Sequence, residues 1–214
     1  ACGDADGAVT GNTRRFGASL DKIKQVVNPR KGEIMFGLNL VVHKGKTIFV
    51  ADTSVHEYPS SEEMSEIAIS AARVVRLFGF DPKVAFVSHS TFGQPVTSRT
   101  KHIRKAVDIL KDKKVDFEFD GDMQPDVALN KEYKSLYPFS NIVGNANILI
   151  MPGQHSAAIS YKMMKEFGDT KVIGPLLIGL GLPIEIAPLR TSTSELINLA
   201  SIAAYSADVI DYKK

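Results

Sequence analysis

Between Ser60 and Ser88 the sequence reads SSEEMSEIAISAARVVRLFGFDPKVAFVS, and its period changes once along that stretch. As far as Leu77 the apolar residues Ile67, Ile69, Ala71, Val74, Val75 and Leu77 supply one side of a helix. Ser60 and Glu63 stand three apart in front of it, the spacing of a capping box, and the helix is expected to open at Pro59–Glu63. Gly79 ends it. Lys83-Val84-Ala85-Phe86-Val87-Ser88 then follows as a short, almost wholly apolar run, the pattern of a buried strand rather than a half-exposed one.

Helix followed by short apolar strand is a unit that recurs along the chain. Residues 14–27 carry Phe16, Leu20, Ile23 and Val26–Val27 at helical spacing and stop at Asn28-Pro29 and Gly32. Met35–Val42 and Thr47–Ala51 are β-rich runs joined by His43-Lys44-Gly45-Lys46, a hairpin. After Ser88 come a helix over Thr97–Lys111, a strand Phe117–Asp120 and a broken helical stretch from Asp126 to Leu136. A strand Ile148–Met151, a helix Ser156–Phe167, a strand Lys171–Ile173, an apolar glycine-containing turn and a closing helix near Ser194–Ala207 complete the chain. Alternation of this kind predicts an α/β fold with a largely parallel sheet, the hairpin adding an antiparallel pair at one side. No repeat of solenoid length is present.

The 214 residues are 44% hydrophobic and 23% charged, proportions that exclude a disordered chain. The longest apolar run, residues 172–182, is broken by Gly174, Pro175, Gly179 and Gly181 and is too short to span a bilayer. Lys and Arg number 26 against 24 Asp and Glu, which argues against a dedicated nucleic-acid surface. A single cysteine, Cys2, excludes a disulfide framework and a multi-cysteine zinc site; with no signal peptide in sight, a cytoplasmic location is expected. The start at Ala1-Cys2-Gly3-Asp4, with Asp4–Val9 reading as the middle of a strand-to-loop element, implies a piece of a longer polypeptide.

In such folds ligands gather where strands end and helices begin, and four loops have suitable chemistry. Thr10-Gly11-Asn12-Thr13-Arg14-Arg15 offers hydroxyls and two guanidinium groups to a phosphate, and it reads equally as an ordinary helix start. Ser88-His89-Ser90-Thr91-Phe92-Gly93 has donors to spare, or is a hydrophilic turn. Asp120-Gly121-Asp122-Met123-Gln124-Pro125-Asp126 holds three carboxylates, but its spacing is not that of a calcium loop and Pro125 interrupts it, so carboxylates capping the next helix are the commoner reading and no metal is expected. Pro188-Leu189-Arg190-Thr191-Ser192-Thr193-Ser194-Glu195 puts an arginine and four hydroxyl residues before a helix: an anion or thioester site, or a capping segment with Thr193 or Ser194 as N-cap. Gly179-Leu180-Gly181 lacks the third glycine of a dinucleotide fingerprint. The five histidines show no ligand spacing; His102 is expected to be solvated, and Lys111–Lys114 to be an exposed helix end.

Taken in order, Ala5-Asp6-Gly7, Thr10-Gly11, Pro59–Glu63, Phe80–Ser90, Asp120–Ala128, Asn145–Pro152 and Ile173–Leu180 resemble the phosphotransacetylase family, the phosphate acetyl/butyryl transferases, over nearly the whole chain. The resemblance implies a two-domain, three-layer α/β/α fold with mostly parallel sheets, of the phosphotransacetylase and isocitrate dehydrogenase type, with its N-terminal part missing here. It places residues 1–27 and 181–214 in a first domain and 28–180 in a second. It also implies acetyl transfer between coenzyme A and phosphate in a cleft, arginines on the acetyl phosphate, and an aspartate taking the thiol proton. A thiol with a pKa of ~8.5 needs such a base to become the nucleophile.

Active members carry Ser-Arg-Gly-x-Ser-x-x-Asp before the last helix, where this chain has Leu189-Arg190-Thr191-Ser192-Thr193-Ser194-Glu195-Leu196. Arg190 is kept, the preceding serine is Leu189, and the aspartate position is Leu196 unless a one-residue gap brings Glu195 there. That departure, with Phe49–Glu57, Ser88-His89-Ser90 and Gly3–Gly7, is similar to the phosphotransacetylase-like module fused behind the oxidative decarboxylase of large bacterial NADP-dependent malic enzymes. The resemblance then implies a regulatory domain that binds acetyl-CoA, with NADP and magnesium or manganese belonging to a part absent from this chain. The expected ligand contacts are Thr10, Arg14, Arg15, Ser88, Ser90, Arg190, Ser192 and Thr193. A working acyltransferase with Glu195 as base is the alternative. A third reading, an assembly module, rests on the small residues of the last helix, and a homo-oligomer, dimer or higher, is expected.

Overall fold

The computed structural model describes residues 4–210, so Cys2 and Gly3 lie outside the described residues. Six strands form the principal sheet in the order β5-β4-β6-β3-β2-β7. They are β2 (Phe36–His43), β3 (Lys46–Ala51), β4 (Lys83–Val87), β5 (Glu118–Met123), β6 (Ile148–Ile150) and β7 (Thr170–Ile178). From β5 to β3 the neighbours run parallel, and the β2–β3 hairpin and β7 add two antiparallel pairings at one edge.

Side chains alternate across this sheet as the strand period requires. Phe49, Ala51, Val84, Phe86, Ile148 and Ile150 join a core under α2 (Ser61–Leu77) and α3 (Ser98–Lys113). Val50, Ala85, Val87 and Leu149 face the other way, onto Val127 and Ala128 of α4 (Pro125–Leu129) and Ala157 of α6 (Gln154–Glu166). The result is three layers, helix on sheet on helix. A short α5 (Lys131–Lys134) follows α4. The capping box at α2 forms as its sequence requires, the Ser60 hydroxyl accepting from the Glu63 amide and the Glu63 carboxylate accepting from the Ser60 amide.

A second, two-stranded parallel sheet pairs β1 (Ala8–Gly11) with β8 (Ile184–Ala187). Leu20 and Ile23 of α1 (Phe16–Val26) pack with Met35, Leu177, Leu180 and Ile186 to tie this small sheet to the large one. The last helix, α7 (Thr193–Val209), buries Leu199 and Ala203 and leaves Ile197, Ala200, Ser201 and Ala204 exposed. No helix among the described residues is long and apolar enough to cross a membrane.

Two strand expectations change. The strand expected to end at Ile173 runs on to Ile178, because a bulge opposite Asn39 lets the sheet pass Gly174-Pro175 without the amide that proline lacks. β8 has no counterpart in the sequence reading, since Ile184-Glu185-Ile186-Ala187 is only four residues long and carries a carboxylate.

Candidate functional site

Because β1 and β8 are parallel, the loops that leave their carboxyl ends meet. The Asn12 amide donates to the Ala187 carbonyl at 2.9 Å, and the Asn12 side-chain oxygen accepts the Thr191 amide at 3.1 Å. Gly11 makes this approach possible: its φ is 107°, and a Cβ there would stand 2.3 Å from the Ala187 oxygen. Asn12 and Arg190 take left-handed φ values of 63° and 62° on the two sides of the junction. Thr10, Arg14, Arg15 and Arg190 are thereby gathered at one end of the small sheet, all four exposed. Arg15 is the N-cap of α1 and gives it no side-chain cap.

Beside this junction lies a cavity of about 160 Å³ whose lining includes Arg190, Thr191 and Glu195, with Tyr161, Lys162 and Lys165 of α6 and Gly174-Pro175 of β7 opposite. Ser192 is the N-cap of α7, correcting the expectation of Thr193 or Ser194: its hydroxyl accepts from the Glu195 amide and donates to the Glu195 carboxylate. The Ser192 amide donates to the same Glu195 Oε2 at 2.8 Å, and Lys165 Nζ reaches Oε1 at 3.1 Å. The Ser192 amide first, then its hydroxyl and Lys165, hold the Glu195 carboxyl below the usual carboxylate range against partial desolvation. Thr193 and Ser194 are exposed in the first turn of α7.

The second serine loop serves a different purpose. Ser88 and Ser90 are buried, their hydroxyls 3.0 Å apart, and Ser90 donates to Asp122, which is itself fully buried and accepts the Gly93 amide at 3.0 Å. The expectation of spare donors is corrected here: these hydroxyls pin the β4 loop to β5. Of the three carboxylates of the acidic segment only Asp126 serves α4, accepting the Val127 amide at 2.9 Å from within the first turn. Asp120 and Asp122 lie in β5 and brace loops, Asp120 accepting the Asn141 amide at 2.7 Å, and Gln124 is the N-cap. No cluster of potential metal ligands occurs among the described residues.

Asp52 is a further buried carboxylate, at the end of β3, where the first polar residue after an apolar run is the only signal the sequence offers. It accepts the amides of Gly37, Ser54, Val55 and His56 and the His56 Nδ1–H at 2.7 Å. His102 is held rather than solvated: its ring pairs with the Pro59 carbonyl at 2.9 Å and the Ser61 hydroxyl at 3.1 Å and stacks on Tyr58. Lys111–Lys114 is the exposed helix end the sequence implies. No hydrogen bond or ion pair of the described residues joins Ser88 or Ser90 to the Arg190 junction.

Comparison with known proteins gives a consistent result. The family model described as phosphate acetyl/butaryl transferase matches residues 1–204. An NADP-dependent malic enzyme of Rhizobium meliloti is 46% identical over 207 residues, covering 97% of this chain and 27% of that protein. A phosphate acetyltransferase of Clostridium acetobutylicum is 32% identical, with 96% and 64% covered. The crystal structure of a phosphotransacetylase from Streptococcus pyogenes superposes with a TM-score of 0.88 at 28% identity, covering 95% of this chain and 63% of that one. The chain thus spans about a quarter of the malic enzyme and less than two thirds of the transferases.

Proposed function

The chain belongs to the phosphate acetyl/butaryl transferase family, and on that premise we propose that it is a transferase fold kept as a sensor: the regulatory domain of an NADP-dependent malic enzyme, binding acetyl-CoA. Malate decarboxylation, NADP and the divalent metal belong, in this reading, to another part of the polypeptide. Coupling requires acetyl-CoA to bind one arrangement of the whole enzyme better than another. The observation that carries the reading is the state of Glu195. A base for a thiol works best with a pKa near the working pH, whereas this carboxylate has its pKa lowered and both oxygens engaged by Ser192 and Lys165. Arg190, Arg14 and Arg15, with Thr10, Ser192 and Thr193 beside them, are the proposed contacts to the phosphate groups, and Ser88 and Ser90 act through the loop they hold. A homo-oligomer in the cytoplasm is part of the same proposal.

One observation favours the second reading, a working phosphate acyltransferase: Arg190 and Glu195 line the same cavity. The full-length protein separates the two. The sensor reading expects no acetyl phosphate from acetyl-CoA and phosphate, a malate rate that responds to acetyl-CoA, and weaker acetyl-CoA binding in Arg190→Ala. Turnover at enzyme-like rates that Glu195→Gln abolishes would establish the transferase instead.

A further inference from the structure

The cavity between α6 and the loop after β8 carries more positive charge than its contacts use. Its titratable lining is Tyr161, Lys162, Lys165, Arg190 and Glu195: three cations, one carboxylate and a phenol whose pKa burial pushes up. At about 160 Å³ it is smaller than the roughly 300–1,000 Å³ of sites for organic ligands. The Lys162 and Arg190 side chains make no hydrogen bond or ion pair among the described residues, Lys162 Nζ lying over the Tyr161 ring at 6.0 Å. Lys165 alone of the three is ion-paired, and the pairing is separable. Glu195 Oε2 takes both bonds from Ser192, whereas Oε1 takes only Lys165. The capping box of α7 therefore survives without Lys165. Both partners are partly open to water, 49% and 33% exposed, and ion pairs of that kind contribute little.

We propose that Lys165 is an exchangeable clamp for a phosphate-like dianion, a role that rests on the reading of Arg190 as an anion contact. When the anion enters, Lys165 Nζ leaves Glu195 Oε1 and turns with Lys162 and Arg190 onto the phosphoryl oxygens. Glu195 stays on Ser192 and keeps α7 capped. An arginine fork and two ammonium groups match a dianion, the arginine fixing its orientation and the lysines acting as point charges.

The test is calorimetric titration of the protein with inorganic phosphate in a double-mutant cycle. Lys165→Met should weaken phosphate binding roughly tenfold, the loss of one charge-assisted hydrogen bond. Glu195→Gln keeps the capping box, because glutamine serves at that position, and sets Lys165 free. Phosphate binding should tighten in that variant, and by clearly less when Lys165 is already methionine. Unchanged affinity in Lys165→Met, or an equal Glu195→Gln effect in both backgrounds, overturns the clamp. Acetyl-CoA titrated in parallel keeps the two readings apart. Phosphate binding that depends on Lys165 without any acetyl-CoA binding would remove the sensor and leave the clamp. Displacement of phosphate by acetyl-CoA would identify the phosphoryl group as the ester's own, and simultaneous binding would identify it as free phosphate.

Discussion

Glu185 is 3% exposed on β8, where burial pushes its carboxyl from the ordinary 4.5 up to about 8, against the single amide of Leu177 that favours the charged form. It is therefore neutral in the folded protein at pH 7 while an unfolded chain would ionise it. The folded state binds the extra proton, so stability is fully present below pH 4.5 and is lost as pH rises towards about 8. The slope is at most roughly 1.4 kcal/mol per pH unit. Glu185→Gln keeps an acceptor for Leu177 and cannot ionise. Its urea midpoint should match the parent's at the acid end of that window and exceed it increasingly towards the alkaline end; parallel curves across the window would mean that the carboxyl is not protonated in the fold. Asp52 and Asp122, also buried, have more donors around them than Glu185: Asp52 accepts the Gly37, Ser54, Val55 and His56 amides, and Asp122 the Ser90 hydroxyl and the Gly93 amide.

Among the elements, the β1–β8 pair depends most on a single residue. Gly11 sits at φ 107° with the Ala187 oxygen where a Cβ would be. Gly11→Ala must strain the backbone or separate the strand ends, at a cost of about 2 kcal/mol or more. The Asn12–Thr191 bond lies at the same junction and should be lost with it. A fall in the thermal midpoint accompanied by weaker anion binding at Arg190 is the expected result; a fall in stability with unchanged binding would show that the junction does not position Arg190. This element also shows where sequence stops being legible. α2 and β4 were readable because helix period, cap and apolar run agree within one short stretch. β8 was not, because four residues whose burial depends on α1, β7 and α7 carry no period of their own. Nor was the Ser88–Ser90–Asp122 network, since hydroxyls count as free donors until a carboxylate 32 residues away is placed beside them. Arg190 stands out in the sequence as a guanidinium before a helix. Lys165, on another helix and lining the same cavity only through the fold, does not.

Across the whole molecule the two sheets rest on unequal cores. The large sheet is covered on both faces, with Phe36, Phe49, Phe86, Ile148 and Ile150 fully enclosed, each worth roughly 1.5–3 kcal/mol when removed from water. The small sheet has two strands, and β1 exposes Ala8, Val9 and Thr10. Its own cluster is Leu20, Ile23, Ile186 and their few neighbours, while Ala187 joins the larger core with Leu199 of α7. Two strands alone are marginal in water, so this region should open while the large sheet stays intact. Native-state hydrogen exchange should show the β8 and β1 amides exchanging at a lower free energy than those of β4 and β6, with a smaller denaturant dependence. On the proposed clamp, inorganic phosphate should slow exchange in β1, β8 and the first turn of α7 and leave β4 and β6 unaffected, because a ligand stabilises only the openings that destroy its site. Equal protection of both sheets, unmoved by phosphate, would mean that the molecule opens as one unit. The anion end would then not be the separately mobile part through which a bound ligand could act.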